Sequence, residues 1–144
     1  MRVLVADDDP TYRSLLEGLL TKWNFEVVSA VNGVEAMEAM RRENPPHLVI
    51  LDWEMPEMDG FEVARTIRNE ESGKDAYVLM ITSSKKKKED MMQVLVCGAD
   101  DYLIKPFDPM DLEIHLRSAL RILHLREELD ELKRSCQSEA VGLT

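Results

Sequence analysis

Four short apolar runs of this chain each end at a side chain that can take part in phosphoryl-transfer chemistry. The runs and the residues at their ends are VLVA before Asp7 and Asp8, LVILD ending at Asp52, VLMIT ending at Thr82, and YLIK ending at Lys105. Such runs predict buried parallel strands, and open α/β sheets bind ligands beyond the carboxyl ends of their strands. The sequence therefore predicts one rim that gathers three carboxylates, one hydroxyl and one ammonium group.

This rim has the composition of a metal site beside a nucleophile. Carboxylates at close range resist joint ionisation unless a cation neutralises them, and oxygen ligands favour a small hard ion such as Mg²⁺. With Mg²⁺ on one side of an incoming phosphoryl group and Lys105 on the other, Asp52 can attack in line and form an aspartyl phosphate. Thr82 can donate a hydrogen bond to a phosphoryl oxygen, so its position should depend on the phosphate.

The stretches between the apolar runs have helical periodicity, and capping residues precede them. The predicted N-caps are Asp9, Asn32, Asp59 and Asp108. The predicted strands are 3–6, 25–29, 48–52, 77–82 and 102–104. The second helix is expected to end at Pro45-Pro46, and the fourth to span about 87–97 before Gly98. These units predict an α/β fold with five parallel strands, helices on both faces and right-handed crossovers.

The composition fits one compact domain and narrows the range of partners. With 144 residues, 44% of them hydrophobic, the chain can bury one core but has no room for a second full domain. A net charge of −10 argues against a nucleic-acid-binding surface. Two cysteines are too few for a disulfide framework. The N-terminus lacks a signal-peptide pattern. No run of the sequence approaches the ~18 consecutive apolar residues of a membrane span. We therefore expect a cytoplasmic protein with no nucleic-acid or membrane partner.

Together, these motifs resemble the receiver domain of two-component response regulators. The resemblance covers about residues 1–120 and comprises the Asp7-Asp8 pair, LVILDWEMPEMDG, MITSS and GADDYLIKPF, in that order. It implies a flavodoxin-like, doubly wound five-stranded parallel sheet in the order 2-1-3-4-5. It also implies a phosphorylatable signalling domain, which is not an enzyme and at most catalyses its own phosphorylation and dephosphorylation.

The resemblance implies an acceptor and a set of metal ligands. Asp52 would accept the phosphoryl group from a sensor histidine kinase or phosphotransfer protein. Asp8 and Asp52 would bind Mg²⁺ through their side chains, Asp7 would act directly or through a water molecule, and Glu54 would offer its backbone carbonyl. A glutamate two residues after the acceptor departs from the usual neutral side chain, and we expect it to alter the lifetime of the phosphorylated state.

The resemblance also implies which residues contact the phosphoryl group and respond to it. Lys105, Thr82 and Ser83 would contact the phosphoryl group, and the bond between Lys105 and Pro106 would be cis. Thr82 and Tyr102 would form a switch pair that changes arrangement on phosphorylation.

The last predicted helix is longer than a sheet of this size can cover. From Pro109 to near Gln137 it would extend ~43 Å at 1.5 Å per residue. The apolar positions with the spacing of a coiled-coil seam are Ile122, Leu125, Leu129, Leu132 and Cys136. In a parallel dimer Glu128 would attract Lys133, whereas Arg121 and Arg126 would repel. Residues 1–120 are thus expected to form the receiver and residues 121–144 a helical extension or linker, which is either an exposed single helix or a short coiled coil.

Two further features concern output. The apolar residues of the fourth helix exceed what one buried face requires; they are Met91, Met92, Val94, Leu95 and Val96. This excess predicts docking or homodimerisation through the fourth helix, fifth strand and last helix. The ending SEAVGLT resembles the approach to a diguanylate cyclase domain, which indicates a piece of a longer regulator with a downstream effector domain.

Two other classes of protein compete with this interpretation. Asp7 to Thr11 also fits the DxDxT pattern of haloacid-dehalogenase-like phosphatases, with Asp7 as nucleophile and Asp9 as general acid. That alternative leaves Asp52 unexplained and lacks room for a typical cap domain. A flavodoxin-type cofactor binder would need a Ser-, Thr- and Gly-rich phosphate loop where this chain has three aspartates.

Overall fold

Strands and helices alternate along the chain, and the computed structural model describes residues 1–71, 73–83 and 88–142. The strands are β1 (Arg2–Ala6), β2 (Glu26–Ala30), β3 (Leu48–Asp52), β4 (Tyr77–Ser83) and β5 (Asp101–Lys105). The helices are α1 (Pro10–Lys22), α2 (Gly33–Met40), α3 (Gly60–Asn69), α4 (Lys88–Val96) and α5 (Pro109–Gly142). All strand pairs are parallel, and their order is β2-β1-β3-β4-β5. The predicted flavodoxin-like fold is confirmed.

The sheet separates two apolar clusters, because successive side chains of a strand point to opposite faces. Val3 and Val5 of β1 pack with α1 and α5, whereas Leu4 and Ala6 pack with α2, α3 and α4. The same alternation holds in β3 and β4, whose apolar side chains are buried on both faces. This burial explains why the strands read as continuous apolar runs.

The predicted capping residues form the expected hydrogen bonds. Each capping side chain accepts a hydrogen bond of 2.8–2.9 Å from a backbone N–H in the first turn of the helix that follows it. The four caps are Asp9, Asn32, Asp59 and Asp108. Gly98 follows α4 with a φ of +107°, a conformation that favours glycine. The local sequence thus determines where four of the helices begin.

Some element boundaries differ from the prediction. Strand β2 begins at Glu26, because the backbone N–H of Phe25 closes the turn after α1 by donating to Leu20 at 2.9 Å. Helix α2 ends at Met40, well before the two prolines, and Asn44 adopts a left-handed φ of 54° in the following loop.

The ends of β4 and β5 extend further than predicted. Ser83 and Lys105 both belong to strands and lie opposite each other in the register. The predicted start of the fourth helix at Lys87 falls outside the described residues.

Helix α5 confirms the predicted long C-terminal helix. It has 34 residues, which corresponds to about 51 Å at 1.5 Å per residue. Its first half buries Leu112 and Leu116 against the sheet, whereas Leu125, Leu129 and Leu132 are 51–65% exposed. The second half therefore presents an apolar stripe to solvent. Within the described residues, no helix has the length and apolar character that crossing a membrane requires.

Arg126 fixes the second half of α5 to the base of the sheet. Its guanidinium donates to the backbone carbonyls of Asp75 and Ala76, both at 3.1 Å, and to Asp100 Oδ1 at 2.7 Å. The other oxygen of Asp100 accepts from Arg68 of α3 and from the Val78 backbone. Arg126 of α5 is thus paired, within one chain, with the carboxylate of Asp100 and with two backbone carbonyls.

Candidate functional site

Three aspartates meet at the carboxyl rim of β1 and β3. These strands are direct neighbours, so Asp7 and Asp8, which follow β1, lie beside Asp52 at the end of β3. One oxygen from each carboxylate lies within 4.8 Å of the others. Asp7 and Asp52 are buried, at 1% and 7% exposure, whereas Asp8 is exposed. The predicted convergence of the three acids is present in the structure.

Lys105 reaches the same cluster from β5. Its ammonium nitrogen lies 3.2 Å from Asp7 Oδ2 and 3.5 Å from Asp52 Oδ1. The lysine side chain is 15% exposed, and the peptide bond to Pro106 is cis, as predicted. A single ammonium group thus contacts two of the three carboxylates.

Asp7 is the most firmly held member of the cluster. Its Oδ1 accepts the backbone N–H of Asp9 at 2.9 Å, and its backbone N–H donates to Ala30 at 3.2 Å. Its backbone carbonyl accepts from the Arg13 guanidinium at 2.9 Å. These contacts from β2 and α1 fix the carboxylate against which Asp52 and Lys105 are arranged.

The charges in the cluster are unbalanced. Burial, followed by repulsion from Asp7, raises the pKa of Asp52 from 3.8 to about 7, because the Lys105 ammonium offsets only part of both effects. Burial by itself would lower the pKa of Lys105, but the carboxylates of Asp52 and Asp7 outweigh it and the pKa is raised. An additional positive charge would therefore stabilise the ionised carboxylates of the cluster.

The donor set fits a hard divalent cation. All three candidate ligands are carboxylate oxygens, and ligand oxygens on one Mg²⁺ lie at most about 4.2 Å apart, twice the metal–oxygen distance. Small rotations of Asp7, Asp8 and Asp52 would bring oxygens that are within 4.8 Å onto a single ion. Glu54, the other predicted contributor, lies exposed in the loop after β3.

Thr82, Ser83 and Tyr102 occupy the neighbouring strand ends. Thr82 is fully buried and its hydroxyl donates to the backbone carbonyl of Ser83 at 3.2 Å. Ser83 lies opposite Lys105, and Tyr102 is half-buried against the cluster that includes α4. By strand alternation Thr82 and Tyr102 belong to the α4 face of the sheet, whereas Asp52 and Lys105 belong to the α1 and α5 face.

The sequence did not identify one contact in the site. The ring of Tyr12, in the first turn of α1, lies 4.1 Å from the Lys105 ammonium and 5.8 Å from the ring of Phe107. A tyrosine in the first turn of a helix carries no local signal of such a contact, which depends on how α1 sits against the end of β5.

Comparison with protein-family models matches residues 3–117 to the response regulator receiver domain. A curated relative, the probable transcriptional regulator ycf27 of Porphyridium aerugineum, is 40% identical over 120 residues, which are 83% of this chain and 48% of the relative. The chain spans about half the length of the ycf27 relatives that it matches.

Two solved structures extend the comparison. The receiver domain of a Pseudomonas aeruginosa sensor histidine kinase, with a magnesium ion coordinated in its active site cleft, matches with a TM-score of 0.74 and 25% identity, covering 82% of this chain and 95% of that one. A protein described as a two-component response regulator and GGDEF domain protein matches with a TM-score of 0.79 and 31% identity, covering 86% of this chain and 50% of that one. These matches give no support to a phosphatase with Asp7 as nucleophile.

Proposed function

Because this chain belongs to the response regulator receiver domain family, we propose that it accepts a phosphoryl group on Asp52 and signals through the resulting change of surface. The observation that carries the proposal is the contact of Asp52 with Lys105, at 3.5 Å, inside a cluster of three carboxylates. The phosphodonor would be a sensor histidine kinase or a phosphotransfer protein.

Asp7, Asp8 and Asp52 would hold Mg²⁺, with the Glu54 backbone carbonyl as a further ligand. The bound ion would neutralise the carboxylates and withdraw charge from the phosphoryl oxygens. The magnesium ion in the cleft of the similar Pseudomonas receiver supports this choice of metal.

In the transfer step, a carboxylate oxygen of Asp52 forms a bond to phosphorus while the bond from phosphorus to the donor's histidine nitrogen breaks. The electron pair of the broken bond leaves with the imidazole nitrogen. Asp52 must be ionised to attack, and the Lys105 ammonium would then turn from Asp7 towards a phosphoryl oxygen. Thr82 and Ser83 would donate to the remaining oxygens.

Thr82 and Tyr102 would pass the change on to the α4 face. In the structure the Thr82 hydroxyl donates to the Ser83 carbonyl, so a phosphoryl oxygen would have to replace that acceptor. A phosphate that binds one arrangement of the pair more tightly shifts the population towards it, and only this difference in affinity produces a signal.

The output would use the α4, β5 and α5 face and the C-terminal helix. Met92 and Val96 of α4 are 64% and 79% exposed, and Met110 of α5 is 68% exposed. The exposed stripe at Leu125, Leu129 and Leu132 would extend this surface into a parallel dimer or towards an effector domain. Residues 1–120 would thus act as the receiver and residues 121–144 as a helical extension or linker.

We assign the protein to the cytoplasm. Cys97 and Cys136 are both free, which suits a reducing compartment.

The test is phosphorylation by acetyl phosphate with and without Mg²⁺, followed by intact-mass measurement. We expect the parent to gain one phosphoryl group only with Mg²⁺, and Asp52→Asn to gain none. Asp59→Asn is the matched control, since Asp59 caps α3 outside the acidic cluster, and it should be labelled like the parent. Label that persists in Asp52→Asn but disappears in Asp7→Asn would contradict the proposal and favour Asp7 as nucleophile.

A further inference from the structure

Lys105 has a third partner besides the two carboxylates. Its ammonium nitrogen lies 4.1 Å from the centroid of the Tyr12 ring, within the ~6 Å over which a cation is attracted to an aromatic face. The ammonium group is thus held by Asp7, Asp52 and an uncharged ring at the same time.

The position of the Tyr12 ring is itself fixed. Tyr12 lies in the first turn of α1, which begins at the Asp9 cap. The ring also meets Phe107 at a centroid distance of 5.8 Å and an interplanar angle of 42°, a separation at which aromatic rings attract each other. Because α1 and the chain after β5 both hold it, the ring offers Lys105 a fixed surface.

We propose that Tyr12 is a positioning residue. Its ring keeps the Lys105 ammonium at the phosphoacceptor site when Asp7 and Asp52 bind a metal ion and a phosphoryl group. A metal ion would bind Asp7 and Asp52, and a phosphoryl group would bind Asp52. The attraction of these carboxylates for the Lys105 ammonium would therefore weaken during phosphoryl transfer, when the ammonium is required. The face of the ring binds neither a hard metal ion nor a phosphate strongly, and its attraction for the ammonium therefore persists. Without the ring, the long lysine side chain regains the rotamer freedom that positioning removes.

This inference rests on the proposed function, and two substitutions separate the ring face from simple packing. Tyr12→Leu keeps apolar volume but removes the aromatic face, whereas Tyr12→Phe keeps the face and removes only the hydroxyl. With acetyl phosphate at saturating Mg²⁺, we expect Tyr12→Leu to lower the phosphorylation rate constant about threefold to tenfold and Tyr12→Phe to restore at least half of the parent rate. The apparent affinity for Mg²⁺ should stay within about twofold of the parent in both variants, since neither removes a candidate ligand.

Leu15→Ala serves as the control for changes in α1, because Leu15 is 41% exposed on the same helix; it should be phosphorylated like the parent. If Tyr12→Leu is phosphorylated at the parent rate, or if Tyr12→Phe is as slow as Tyr12→Leu, the proposal is wrong. Equal slowing by Leu15→Ala would also overturn it, since the effect would then come from α1 rather than from the ring.

A second readout does not depend on phosphorylation. In the NMR spectrum of the protein without phosphodonor, the ring above Lys105 should shift its εCH₂ resonances upfield of those of the other lysines. The shift should persist in Tyr12→Phe and vanish in Tyr12→Leu, with the assignment made by Lys105→Arg. Unshifted Lys105 resonances in the parent would refute the contact, whereas a shifted resonance in a protein that is never phosphorylated would refute only the proposed function.

Discussion

Replacing Asp52 with asparagine should stabilise the metal-free protein at alkaline pH. Burial, followed by repulsion from Asp7, raises the pKa of Asp52 from 3.8 to about 7, so the folded state binds this proton more tightly than the unfolded chain does. The stability that the proton contributes is fully present below about pH 4 and is progressively lost as the pH rises through about 7. Asparagine carries no charge at any pH, so this loss should disappear in the variant.

The magnitude follows from the shift in the pKa of Asp52. A rise from 3.8 to about 7 is about 3 units, or about 4 kcal/mol at 1.36 kcal/mol per unit. Since Asp52 and Asp7 interact, part of this energy belongs to the pair, and we expect the free energy of unfolding to rise by about 2–4 kcal/mol at about pH 8. For a domain of this size the gain corresponds to an increase in Tm of about 5–15 °C.

Thermal unfolding in EDTA, followed by circular dichroism at about pH 5 and about pH 8, measures the effect across the window in which it should grow. Asp59→Asn is the matched control, because asparagine caps a helix about as well as aspartate and Asp59 lies outside the acidic cluster. Equal Tm values for the parent and Asp52→Asn at the higher pH, or a gain of the same size at both pH values, would refute the electrostatic reasoning.

Mg²⁺ should change the fluorescence of Trp53, which adjoins Asp52, in a Trp23→Phe background, and the affinity should rise between about pH 6 and pH 8 because the ion displaces the Asp52 proton. Asp8→Asn should weaken Mg²⁺ binding about tenfold or more. An affinity for Mg²⁺ that changes neither with pH nor with this substitution would contradict the metal site. Phosphorylation should double the molecular mass of the parent in light scattering, because two chains associate, whereas the Leu129→Glu variant should stay monomeric. If this variant dimerises like the parent, the dimer does not form through the apolar stripe of α5. Glu54→Met should slow the loss of the phosphoryl group about threefold to tenfold if Glu54 positions the attacking water, and equal decay in both proteins would leave Glu54 without that role.

The strands and the helix starts could be predicted because their determinants are local. Strands buried on both faces read as short apolar runs, and residues such as Asp9 and Asn32 cap the helix that directly follows them. Strand β2 was placed less accurately because it lies at the edge of the sheet and most of its residues are only half-buried or exposed. The convergence of Asp7, Asp52 and Lys105 was predictable because each lies at a strand end, and parallel strands bring these ends to one rim.

The contacts that the sequence could not predict join residues that are distant along the chain. The heptad position of Arg126 carries no signal of its contact with Asp100, 26 residues away in the chain. Likewise, Tyr12 meets Lys105 only because α1 packs beside the end of β5. Both contacts depend on the angle and depth at which a helix packs on the sheet, which periodicity leaves open.

The residue that carries the phosphoryl group can be identified by chemical trapping. After phosphorylation by acetyl phosphate with Mg²⁺, borohydride reduction converts an aspartyl phosphate to homoserine, which tandem mass spectrometry of the peptides locates in the chain. We expect homoserine at position 52 and nowhere else in the sequence. An unmodified Asp52 in a protein that carries the label, or modification at Asp7 in its place, would contradict the proposed function.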